Sequence, residues 1–143
     1  MLKSPTVVPY NRNLMARPAG VTRPQTALVV DDDKQVLSLV GRWLKNAGYE
    51  VSTCDDFGAA KQRVRDGGSE VLIVDVRLQG FNGIHLAILA RELRPETRIV
   101  VLSGWDDAVL RQEANACGAT YLCKPLKAEQ LLAAIEAPPQ AAS

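Results

Sequence analysis

Four apolar runs in this chain each end in a residue able to do chemistry. TALVV at 26–30 leads into Asp31-Asp32-Asp33, and EVLIV at 70–74 into Asp75. RIVVL at 98–102 leads into Ser103-Gly104, and ATYLC at 119–123 into Lys124-Pro125. Carboxylates gathered in one place cannot all stay ionised without a cation beside them. A small cluster of hard oxygen ligands suits Mg2+, which keeps several waters and needs only one or two direct carboxylates. A phosphoryl group taken up by one of these carboxylates would have such a metal on one side and the Lys124 ammonium on the other, with the Ser103 hydroxyl as a donor. Asp, Mg2+, Ser and Lys together describe an acceptor site for a phosphoryl group.

These residues meet only if the runs lie side by side, and the pattern between the runs provides for that. Thr26–Asp31 reads as a strand buried on both faces. Lys34–Ala47 follows, with Val36, Val40, Trp43, Leu44 and Ala47 at helical spacing, and Gly48 ends it. A strand over Tyr49–Cys54 stops at Asp55-Asp56, which caps a helix running through Arg65 to Gly67-Gly68. The strand Glu70–Asp75 gives way to a loop with Gly80 and Gly83, then a helix over Ile84–Leu93 closed before Pro95. Strand Arg98–Ser103, helix Asp106–Cys117, strand Ala119–Cys123 and helix Lys127–Glu136 complete the series, with Gly118 and Pro138-Pro139 as stops. Strands alternating with helices predict one α/β domain over 26–137, a parallel sheet between two helical layers. Functional groups in such a sheet gather at the carboxyl ends of the strands. The loop after the first strand has no glycine cradle for a phosphate, and its three carboxylates would repel one. A dinucleotide-binding dehydrogenase or a P-loop enzyme is thereby excluded.

The rest of the chain is plainer. Its 143 residues fit one domain, and 47% hydrophobic with 23% charged residues is a soluble globular composition. No apolar run approaches the roughly 20 residues that span a bilayer, and residues 1–25 hold no secretory signal, so a cytoplasmic protein without membrane contact is expected. Residues 1–25 carry Lys3, Arg12, Arg17, Arg23 and four prolines but no acid, and read as a disordered, solvated basic tail. Four scattered charges make a weak patch, so nucleic acid is not an expected partner. Residues 138–143 form a short second tail. Cys54, Cys117 and Cys123 lack metal-ligand spacing and read as reduced thiols; His85 reads as solvated, Trp43 as core and Asp33 as a helix cap.

The motifs VVDDD at 29–33, IVDVRLQGFNG at 73–83, VLSG at 101–104 and YLCKP at 121–125, in this order and spacing, resemble the receiver domains of bacterial response regulators, the CheY-like family. The resemblance runs from Thr26 to Glu136. It implies a doubly wound, five-stranded parallel sheet of order 2-1-3-4-5. It also implies that Asp75 is the phospho-acceptor, that Asp32 binds Mg2+ directly and Asp31 through water, and that the Arg77 carbonyl is the third protein ligand. Ser103 then matches the hydroxyl residue that turns toward the phosphoryl group, Lys124 the lysine that pairs with it, and Tyr121 the aromatic switch that swings inward. The Arg77 and Gly104 backbone would touch the phosphoryl oxygens, and the Lys124–Pro125 bond would be cis. The implied partners are a sensor histidine kinase or a phosphotransfer protein of a phosphorelay, and a downstream target for the face of helix four, strand five and helix five. Homodimerisation on phosphorylation through that face stays open. Phosphotransfer and dephosphorylation would be self-catalysed, which does not make a classified enzyme. Arg77 and Trp105, each two residues past an active group, flank the path by which water reaches the phosphoryl group and would slow hydrolysis.

A degenerate receiver, binding partners without phosphorylation, is disfavoured by the intact Asp32, Asp75, Ser103 and Lys124. An aspartyl phosphatase would carry its nucleophile after the first strand and bring a large cap domain, for which this chain is too short. A receiver cut from a longer regulator, with APPQAAS as the stump of a linker, stays open.

Overall fold

The computed structural model describes residues 23–136; the expectations for the two tails fall largely outside them. Five strands, β1 (Thr26–Val30), β2 (Glu50–Cys54), β3 (Val71–Asp75), β4 (Arg98–Ser103) and β5 (Thr120–Cys123), alternate with α1 (Lys34–Asn46), α2 (Phe57–Asp66), α3 (Ile84–Leu93), α4 (Ala108–Ala116) and α5 (Ala128–Glu136). The strands form one sheet in the order β2-β1-β3-β4-β5, every pair parallel. The expected three-layer fold and strand order are those observed.

Each central strand feeds two cores, which is why its sequence is an unbroken apolar run. Leu28, Val30, Leu72, Val74, Ile99 and Val101 face Ala60 and Val64 of α2, the buried side of α3, and Ala114 of α4. Their neighbours Ala27, Val29, Val71, Ile73, Val100 and Leu102 face Val40 and Leu44 of α1 and Leu131 and Ile135 of α5. Trp43 packs against that second core while staying half-buried. The register pairs Val74 with both Val30 and Val101, and Ser103 with Cys123, so the residues following β1, β3, β4 and β5 emerge along one edge.

Boundaries differ from expectation where a side chain intervenes. Asp106 lies outside α4 because Asp107 leaves the helical region and its carboxylate accepts from the amides of Val109 and Leu110, and Cys117 (φ −100, ψ 13) stands as the C-cap just past the last turn. Asp33 and Asp56 cap α1 and α2 as expected, accepting from Gln35 and Ala59. The stretch after β3, expected as a loop, holds a two-residue antiparallel pair, Arg77–Leu78 with Phe81–Asn82. Gln79 (φ 53) and Gly80 (φ 86) make its turn with both residues in the left-handed region, as a tight hairpin needs. Arg23 and Gln25, counted with the tail on sequence grounds, are tied to the domain. Arg23 makes a forked contact to Glu70 at 3.1 and 3.2 Å, and the Gln25 carbonyl accepts from the Glu50 amide. No described helix is long and apolar enough to cross a membrane.

Candidate functional site

The strand edge is held to tight tolerance by backbone bonds that continue the sheet past its strands. Asp31 donates its amide to the Cys54 carbonyl at 3.1 Å, Val76 to Leu102 at 2.8 Å and Lys124 to Ser103 at 2.7 Å. Each active side chain therefore starts from a fixed main chain.

Asp31 is fully buried, Asp75 is 5% exposed and Asp32 reaches solvent, and one oxygen of each lies within 4.8 Å of the others. Lys124 Nζ stands 3.0 Å from Asp31 Oδ2 and 3.0 Å from Asp75 Oδ1. Backbone amides direct the remaining oxygens: Asp33 donates to Asp31 Oδ1, Arg77 to Asp75 Oδ2 and Gln79 to Asp32 Oδ2. Asp31 Oδ2 is buried and meets the ammonium without accepting an aligned hydrogen bond. An oriented lone pair left spare among three carboxylates and one ammonium fits a hard divalent cation such as Mg2+. Among the described residues this is the one carboxylate cluster with such geometry.

Burial raises the Asp75 carboxyl, and the neighbouring Asp31 charge adds to it; Lys124 offsets only part, so the group titrates at about 6 instead of 3.8. Burial alone would lower the Lys124 ammonium, but its close contacts with the Asp31 and Asp75 carboxylates and their charges hold it above the ordinary lysine value. At neutral pH, Asp75 is thus a desolvated, ionised carboxylate with a cation at its side. Such a group can attack an electrophilic phosphorus.

Comparisons with known proteins give the family and the fold. The family profile described as "Response regulator receiver domain" matches residues 27–136. The chain belongs to that family. The photosynthetic apparatus regulatory protein RegA of Rhodobacter capsulatus is 33% identical to this receiver over 112 residues, 78% of this chain and 61% of RegA. The receiver thus spans less than two thirds of that relative's length. A CheY-like receiver from Methanospirillum hungatei superposes with a TM-score of 0.74 at 25% identity, covering 79% of this chain and 91% of the other. A response regulator from Burkholderia pseudomallei, solved with a phosphorylated aspartic acid, calcium ion and citrate, gives 0.72 at 30% identity, covering 78% and 66%.

The remaining candidate residues of the receiver lie in β4 and β5 and in the loops after β3, β4 and β5. Ser103 is fully buried, and its Oγ accepts from the Trp105 amide at 3.1 Å. Tyr121 is 5% exposed; its hydroxyl donates to the Trp105 carbonyl at 2.6 Å and accepts from the Asp107 amide at 3.3 Å. The Arg77 guanidinium lies on the Trp105 ring, 4.1 Å from its centroid, so the loops after β3 and β4 are clasped together beside the site. Gly104 is exposed, and a Cβ there would meet nothing within 4 Å. The Lys124–Pro125 bond is cis.

Several participants escaped sequence reasoning. Gly83 lies so close to β3 that a Cβ would stand 2.0 Å from the Asp75 carbonyl oxygen. Asn82 Oδ1 accepts from the Ile84 amide and starts α3 in place of a cap at Gly83. Gln79 accepts a left-handed backbone and turns its amide onto Asp32. Arg111 covers the Tyr121 ring at 4.6 Å. His85 is exposed, and all three cysteines are free thiols.

Proposed function

We propose that this receiver is a phosphorylation switch whose acceptor is Asp75, loaded from a phosphohistidine on a sensor histidine kinase or a phosphotransfer protein in the cytoplasm. The observation that carries the reading is the Lys124 ammonium bridging two buried carboxylates at 3.0 Å each, with Ser103 on the next strand. The phosphorylated aspartic acid of the Burkholderia structure supports it by likeness. In the transfer, the phosphorus–nitrogen bond of the donor breaks as an Asp75 carboxylate oxygen bonds to phosphorus. Asp75 releases no proton, because it is already ionised above pH 6 or so.

Asp31, Asp32 and Asp75, with the Arg77 carbonyl, would hold Mg2+. When bound, that ion supplies positive charge beside the oxygens of the transferred group. Lys124 keeps its ammonium on the acceptor and offsets charge on the far side. The Ser103 hydroxyl, free to rotate once it leaves the Trp105 amide, donates to a phosphoryl oxygen, and the amide of the exposed Gly104 donates to a second. The changed Ser103 position acts on the face of α4, β5 and α5, where a downstream protein or a second receiver would dock. RegA is longer than this chain, which favours the same switch serving as the receiver part of a larger regulator.

The test is intact mass after incubation with acetyl phosphate and Mg2+. Wild type should gain one phosphoryl group, Asp75→Ala none, and chelation of the metal should abolish the gain. A folded wild type that gains nothing would leave a receiver acting by binding alone.

A second expectation arises from the Arg77–Trp105 clasp, which stands next to the acceptor because the Arg77 amide donates to Asp75 Oδ2. Arg77→Asn with Trp105→Ala should shorten the lifetime of the phosphorylated form, on the order of tenfold if the clasp excludes the attacking water. Loss of phosphate followed by mass decides it; equal lifetimes would place the clasp outside the hydrolytic path.

A further inference from the structure

Ser103 and Tyr121, expected to move together, stand in different states. The Ser103 hydroxyl is bonded to the adjacent Trp105 amide, while the Tyr121 ring is already inside. Three contacts account for the ring's position. Its hydroxyl donates to the Trp105 carbonyl at 2.6 Å and accepts from the Asp107 amide at 3.3 Å, an amide fixed by the cap of α4. Its outer face lies under the Arg111 guanidinium, 4.6 Å from the centroid. Arg111 is itself held by Asp106 at 2.7 Å and lies 4.0 Å from the Cys123 sulfur. A ring turning outward would have to displace this guanidinium, and would leave the Trp105 carbonyl without the hydroxyl. Contacts present in only one state bias the equilibrium toward it.

We propose that Arg111, anchored by Asp106, is a positioning residue that holds Tyr121 inward before the acceptor is modified. The Tyr121 part of the α4–β5–α5 face is then preset, and phosphorylation of Asp75 acts on that face through Ser103, without a large swing of Tyr121. This rests on the reading of Tyr121 as the switch residue.

The experiment uses the full chain labelled with 3-fluorotyrosine. The chain has three tyrosines, and the Tyr121 fluorine signal is assigned by its loss in Tyr121→Phe. Broadening by a soluble gadolinium chelate is read on unmodified protein. In wild type the Tyr121 signal should be as protected as that of Tyr49, which is 4% exposed. Arg111→Ala should lose this protection at Tyr121 and keep it at Tyr49, with Arg111→Lys retaining part of it. A general loosening of the fold would broaden both signals, and would overturn the proposal. So would an Arg111→Ala protein in which Tyr121 stays protected, or a wild type in which it is exposed. Beryllofluoride with Mg2+ should then shift the Tyr121 signal little in wild type and restore protection in Arg111→Ala. A chain that takes up no phosphoryl group from acetyl phosphate would remove the phosphorylation reading, yet the unmodified protein would still decide the role of Arg111.

Discussion

Gly83→Ala should destabilise the domain by about 3 kcal/mol, toward the upper end of what overpacking costs. For a domain of this size the melting temperature should fall by roughly 10–15 °C. The backbone there is ordinary, φ −62 and ψ −17, so alanine suffers no conformational penalty and the collision is the whole effect. The added Cβ would stand 2.0 Å from the Asp75 carbonyl oxygen and 2.9 Å from both the Asp75 carbonyl carbon and Val74 Cγ2. Two of those three atoms are main chain, so a side-chain rotation cannot relieve the contact. The start of α3 must move off the end of β3, and Gly83 also donates to the Val76 carbonyl at 2.8 Å, which ties the same two segments. Since the displaced strand end carries the acceptor, phosphoryl uptake should slow along with the loss of stability. Gly104→Ala is the matched control, because nothing lies within 4 Å of its added Cβ. It should melt within a few degrees of wild type, as exposed substitutions do. A Gly83→Ala protein as stable as Gly104→Ala would show that the close approach does not exist in solution.

This contrast also marks how far the sequence could be read. Asp31, Asp75, Ser103 and Lys124 could be placed together without any knowledge of contacts. Each follows an apolar run, parallel strands put their carboxyl ends on one edge, and the topology does the rest. Helix limits were legible to within a residue or two wherever a glycine or a capping aspartate stood; the largest shift at α4 is at its start, where Asp107 reads as helix until its side chain is seen to cap. Gly83 and Gly80 look alike in the sequence, yet one fills a hairpin turn and the other a steric gap beneath the acceptor. The Arg77–Trp105 clasp and the Arg111 cover on Tyr121 join residues from different loops and helices. No periodicity announces such pairs, because each depends on where a long side chain comes to rest over a ring. The Gln79-Gly80 turn escaped because glutamine is an uncommon first residue for a left-handed pair, where asparagine or aspartate is the usual sign.

Without a divalent cation, Asp75→Asn should be more stable than wild type by about 2–3 kcal/mol at pH 8. The Asp75 carboxyl titrates at about 6 in the fold instead of 3.8, first because it is buried and then because Asp31 repels it. A carboxyl raised on folding contributes stability that is fully present below its ordinary value and is lost as the pH rises through its folded value. At 1.36 kcal/mol for each pH unit between those values, the full loss is about 3 kcal/mol. Asparagine has nothing to ionise, so it escapes that loss, while Lys124 still has Asp31 at 3.0 Å. Denaturant unfolding in the presence of chelator at pH 4, 6 and 8 should therefore show the two proteins close together at pH 4, most of the gap open by pH 6, and the full gap at pH 8. Mg2+ should act in the opposite sense, stabilising wild type by mass action and the Asn variant much less, so that the gap narrows as the ion is added. An Asn variant less stable than wild type at pH 8 would mean that attraction to Lys124 outweighs burial. Asp75 would then be held as a structural ion pair, and the strain that a bound cation or phosphoryl group could relieve would be absent from the resting site.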